Sequence, residues 1–185
     1  MLHRGIFGQL TKEPRLVLGS AGFADGLTVE LGYSAGVAET ADALVADLAA
    51  VGISVTAAPL AFNELMQRGR AREVPLVLHS WACATGDAAD FFDPLVHTRS
   101  EQRGLGLENY SGYSDRNVDA ILERASREVD RERRLAYLQE AQRQVLRDLP
   151  ILPLAFRWWF IGTSEDVEIV VRHDTWLRVA DYAWR

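Results

Sequence analysis

The residues whose types could do chemistry gather in one stretch, HSWACATGDAADFF, at positions 79–92. It holds the only cysteine of the chain, Cys83, with His79 before it and Asp87 and Asp90 after it; His97 follows downstream. One chemistry open to such a set is nucleophilic attack by Cys83 with His79 or His97 as base. A catalytic thiol needs an electropositive setting or an oriented imidazole. Two nearby aspartates work against a thiolate, and His79 has no spacing that turns it toward the thiol. No local triad signature is present, so Cys83 reads as a small apolar filler.

A second chemistry is metal binding by His79, Asp87, Asp90 and His97. No HExxH or paired-histidine spacing holds these four on one face. The two aspartates are better explained as caps of a helix starting there, where side-chain oxygens satisfy free backbone N–H groups. Gly104 and Gly106 in RGLGLEN lack the strand–turn–helix setting and the lysine of a phosphate loop. Trp158 and Trp159 in RWWF read as core or as packing against a partner, with a ligand-stacking platform as the other reading.

These residues must be positioned by the elements around them. LTVELGY alternates between apolar and polar and predicts a strand. AETADALVADLAAVG places Ala41, Leu44, Leu48 and Val51 on one helical face and stops at Gly52. ISVTAAPL predicts a strand and AFNELMQRGRARE a short helix with Phe62, Leu65 and Met66 inward. VPLVLHSW predicts a further buried strand. This order is a βαβ pattern with parallel strands. A short helix around DAADFFDPLVH and the loop TRSEQRGLGLENYSG come next. SDRNVDAILERASREV then carries Val118, Ile121, Leu122, Ala125 and Val129 on one stripe, with Ser114 or Asp115 as its cap. DRERRLAYLQEAQRQVLRDL has Leu135, Leu138, Ala141, Val145 and Leu146 on its inner stripe and ends at Pro150. ILPLAFRWWFIG predicts a buried strand, and VEIVVRH and TWLRVADYAW further strands or extended returns.

Composition bounds the function. With 185 residues, 48 % hydrophobic and 25 % charged, the chain has an ordinary globular make-up and length for a substantial core. A net charge of −6 argues against a nucleic-acid partner, which requires a basic face. A single cysteine excludes an internal disulfide framework and a multi-cysteine zinc site. The first residues lack the sustained apolar run of a signal peptide, and ILPLAFRWWFIG is about half the ~20 residues that a membrane-spanning helix needs.

The ordered motifs GFADGLTVELGY, ALVADLAAVGISVTAAPL, SWACATGDAADFFDPLVHT, NYSGYSDRNVDAILERA and RRLAYLQEAQRQVLRDLPILPLAF together resemble the bacterial extracellular solute-binding protein family 5. These are the peptide, oligopeptide and nickel receptors of ABC importers. The resemblance covers roughly residues 20 to 185. It implies a type II periplasmic-binding-protein-like α/β lobe, with a mixed, mostly parallel sheet flanked by helices. It further implies that residues 1–185 are one C-terminal lobe of a two-lobe receptor, whose N-terminal lobe and signal peptide are absent. Residues 1–20 and 172–185 are then expected as inter-lobe segments.

The implied function is capture of a periplasmic or cell-surface solute, a peptide or another small polar ligand, and its delivery to membrane permease subunits. No cofactor, catalysis or nucleic acid is implied. A sensor or interaction module without transport is the alternative, and a cysteine enzyme a further one. The resemblance puts Trp81, Ala82, Cys83, Ala84, Thr85 and Asp87 on the ligand side. In peptide-binding members an aspartate three residues after the tryptophan pairs with the ligand's α-amino group. Here that position falls on Ala84, which puts binding of peptides with a free N-terminus in doubt.

Overall fold

Alternation in LTVELGY produces β1 (Leu27–Tyr33), the central strand of a parallel sheet ordered β2-β1-β3. Its neighbours are β2 (Ile53–Pro59) and β3 (Leu76–Leu78). Register runs from Leu27 opposite Ile53 to Tyr33 opposite Pro59 on one side, and from Leu31 opposite Leu76 to Tyr33 opposite Leu78 on the other. The computed structural model describes residues 14–172, 174 and 176–185, and these form two compact units meeting in sequence between Ser80 and Trp81. The expected inter-lobe segment 1–20 lies outside the described residues as far as residue 13; residues 14–20 form the short helix α1 (Pro14–Ser20).

In the first unit, α2 (Ala38–Ala50) and α3 (Phe62–Arg70) connect the strands. Gly52 follows α2 with φ 94°, a left-handed turn that a side chain would strain, so the helix ends where the sequence predicts. Among the described residues, Leu31, Ala41, Leu65, Met66, Val74 and Leu78 are the buried apolar residues of this unit. A β-carbon at Gly32 would come within 2.9 Å of both Leu65 and Val74, so the glycine lets these side chains sit against β1. Arg68 reaches from α3 to Glu30 at 2.9 Å.

Two expectations change here. Phe62 is exposed rather than inward; it opens α3, ahead of the buried Leu65 and Met66, and meets the His79 ring edge-on. VPLVLHSW yields only three strand residues, of which Leu78 alone is buried. Pro75 has no N–H for a ladder bond, so pairing begins after it.

The second unit is helical at its centre. α4 (Ala89–Leu95), α5 (Arg116–Arg127) and α6 (Arg131–Asp148) enclose a core of Phe92, Leu95, Val96, Val118, Leu122, Ala125, Leu138, Ala141 and Val145. Asp115 caps α5 by accepting from the N–H groups of Asn117 at 2.7 Å and Val118 at 3.2 Å; Asp130 does the same for α6 through Arg133 at 2.9 Å. Leu149 closes α6 in a left-handed conformation, and Pro150 prevents continuation. Val129, Leu135 and Leu146 are exposed rather than on the inner stripes.

ILPLAFRWWFIG is the larger correction. It forms no strand, and Phe156 and Phe160 are 97 % and 92 % exposed. A strand needs a ladder partner, and within the described residues none lies beside it. Beyond it, β4 (Val167–Ile169) and β5 (Tyr182–Trp184) make a short antiparallel pair. No helix among the described residues is long and apolar enough to cross a membrane.

Candidate functional site

The segment that follows β3 folds into a tight turn and then α4. Gly86, at φ 70°, allows the reversal, and its N–H donates to the Cys83 carbonyl at 3.2 Å. The Asp87 N–H donates to Thr85 Oγ1 at 3.2 Å, and the Thr85 N–H donates to Asp90 Oδ2 at 3.2 Å. Asp87 Oδ1 accepts from the Ala89 N–H at 2.8 Å. Asp87 thus serves the first residue of α4, as a cap would. Asp90 does not cap; it lies inside the helix and reaches back to the turn.

Cys83 Sγ donates to the Asp87 carbonyl at 3.1 Å, a bond that uses the thiol proton. The arrangement suits a packed thiol, not a nucleophile.

Arg134, projecting from α6, grips both Asp87 carboxylate oxygens, with Nη2 3.0 Å from Oδ1 and Nη1 on Oδ2. This fork, helped by the Ala89 N–H, holds the Asp87 carboxyl below the usual carboxylate range, and Asp87 in turn raises Arg134. An open depression of about 410 Å³ lies beside the turn, lined by Thr85, Asp87, Ala89, Asp90, Asp93, Pro94 and Arg134. Burial pushes the Asp93 carboxyl upward. Of the expected ligand-side residues, Cys83, Thr85 and Asp87 are brought together by these bonds. Trp81, Ala82 and Ala84 are exposed in the irregular segment beside them.

His97 has a different role. It is buried, its Nδ1 lies 2.8 Å from the Thr98 carbonyl, and its Nε2 lies 3.7 Å from Glu123. Glu123 itself is held below the usual carboxylate range by Arg103, 2.5 Å away. Among the described residues no three histidine, cysteine, aspartate or glutamate side chains are grouped to hold a metal ion.

Two residues that shape this region escaped the sequence reading. Asn109 is buried, and its Nδ2 donates to the carbonyls of His97 at 3.0 Å and Tyr113 at 2.8 Å, while Oδ1 accepts from Tyr113 N–H and Ser111. It ties the NYSGY turn to the end of α4. Arg134 sits in DRERRL among other arginines, and residue type alone does not separate it from its solvated neighbours. A second depression, about 440 Å³, lies in the first unit beside Leu27, Thr28 and Ser54, where β1 and β2 begin. Ligands of open parallel sheets bind at the opposite, carboxyl ends of strands, so it is the weaker candidate.

No family model matches the chain. Di/tripeptide-binding protein 2 of Pseudomonas aeruginosa (strain UCBPP-PA14) is 31 % identical over 130 residues, 70 % of this chain and 24 % of that protein. The peptide transport periplasmic protein SapA of Salmonella typhimurium is 29 % identical over 119 residues, 63 % of this chain and 21 % of that protein. Among solved structures, the dipeptide-binding protein of Pseudoalteromonas sp. SM9913, in complex with Met-Leu, superposes with a TM-score of 0.76. That match covers 92 % of this chain and 35 % of the other at 23 % identity, and shows the fold. The chain spans about a quarter of the length of the curated relatives it matches. By sequence and by fold, the chain is similar to extracellular solute-binding proteins of the family 5 type, over the part of their length that it spans.

Proposed function

We propose that this chain is one lobe of the substrate-binding component of an ABC importer. In this reading it captures a peptide-like or other small polar solute in the periplasm and passes it to a membrane permease. The observation that carries the reading is the turn at 81–87, which combines order, partial exposure and an adjoining open depression with kinship to peptide-binding proteins. A binder needs a shaped surface with a few polar groups rather than a converging acid, base and nucleophile. Cys83 and His97 each have their own structural partners, which favours binding over catalysis.

Ala84 refines the ligand class. A desolvated ammonium without a matched carboxylate costs on the order of several kcal/mol. Peptides with a free N-terminus are therefore disfavoured against N-blocked peptides or uncharged polar solutes. Calorimetry on a receptor joining this lobe to its partner lobe tests this: unmodified di- to pentapeptides should bind weakly, and tight binding of them would sink the idea. Ala84→Asp should raise their affinity about tenfold, the scale of one added charge-assisted contact. The lobe by itself offers half a cleft and should bind with less than micromolar strength.

A further inference from the structure

We infer that Arg134 is the positioning residue of the ligand-side turn, gripping Asp87 so that the turn is fixed and its carboxylate is withheld from the ligand. This rests on the proposed reading of residues 81–87 as a ligand face, though its test needs no ligand.

Asp87 is the hub of the turn. Its N–H, its carbonyl and both carboxylate oxygens are all engaged, by Thr85, Cys83, Ala89 and Arg134. Three of those bonds stay within a few residues and set the local conformation. The fourth comes from a helix 47 positions away and anchors that conformation to the core side of the unit. A bidentate guanidinium–carboxylate pair fixes orientation as well as distance, which a single charge does not. α6 is well placed to deliver it. The helix is capped by Asp130 and packed through Leu138, Ala141 and Val145, so the Arg134 backbone is held near its N-terminal end.

The grip also decides what the depression offers. Asp87, Asp90 and Asp93 all line it. Arg134 takes up Asp87, the Thr85 amide occupies one oxygen of Asp90, and burial pushes the Asp93 carboxyl upward.

The test uses the chain itself, with Arg134→Met and Arg134→Lys. Carbon-13 titration follows the Asp87 carboxyl, and amide exchange follows Gly86, Asp87 and Ala89. In the wild-type chain Asp87 should titrate below an ordinary aspartate; in Arg134→Met its midpoint should move up toward the ordinary aspartate range. Turn amides should exchange about tenfold faster or more in that variant, while Leu122 and Val145 keep their rates. Arg134→Lys should recover part of both effects, because it keeps the charge and loses the fork. Both partners are partly exposed, so the variants should fold. Unchanged turn exchange in Arg134→Met overturns the inference, as does a uniform acceleration across the unit. If the variants behave as expected but an assembled receptor ignores free and N-acetylated dialanine alike, the clamp stands and the receptor reading falls.

Discussion

At Gly106 the chain passes so close to its neighbour that an added β-carbon would lie 2.3 Å from the His97 carbonyl oxygen and 2.7 Å from Arg99 N. The residue also has φ 63°, so any side chain meets backbone strain and backbone collision at once. Gly106→Ala should cost about 3 kcal/mol of stability, read from the midpoint of chemical unfolding. Asn109 stands beside this crossing, and its amide serves the carbonyls of His97 and Tyr113. Asn109→Ala removes donors from buried carbonyls and should cost about 2 kcal/mol in the same assay. Either variant unfolding at the wild-type midpoint would refute the view that this loop is stapled to α4. The Asp87–Arg134 pair adds a pH signature. Its folded carboxyl lies below the unfolded value, so its contribution is complete above about pH 4 and disappears as pH falls through the depressed folded value. The ordering of the turn should therefore not change between neutral pH and pH 5.

The central helices show what periodicity delivers and where it stops. α5 and α6 follow the predicted stripes at Val118, Leu122, Ala125, Leu138, Ala141 and Val145, because an amphipathic helix has few other ways to bury that face. Asp115 was legible as a cap for the same local reason. Val129 was misread because the helical period no longer applies to it: α5 ends at Arg127, Glu128 is extended, and Val129 is 96 % exposed. The parallel order of β1 to β3 was also legible from short joins. The turn's bonding was not, since which arginine reaches Asp87 depends on how α6 packs, and that information is not local. This contrast is measurable. Leu122→Ala, in the buried core, should lose about 3 kcal/mol. Val129→Ser should change stability by less than about 0.5 kcal/mol. A large loss at Val129 would mean that the chain continues as helix past Arg127.

Across the whole chain, the unresolved physical problem is apolar surface. Phe156, Trp158 and Phe160 are almost fully exposed in a stretch without strand pairing, and Val170, Val171, Trp176 and Trp184 add to it in the last residues. An exposed aromatic stretch outside any sheet is a surface that another chain segment can cover. The curated relatives are about four times longer than the part matched here, which makes a partner lobe the proposed cover for this stretch. Two outcomes are expected. The chain by itself should bind an apolar fluorescent dye and self-associate, and replacing Phe156, Trp158 and Phe160 together by serine should reduce both without lowering the unfolding midpoint, because these side chains make no core. Adding the partner lobe should slow amide exchange across residues 152–161 and suppress dye binding, as a newly formed ladder protects the amides and covers the apolar face. If exchange there stays fast in the joined receptor, these residues do not form the link between lobes, and the single-lobe reading of the chain fails with them.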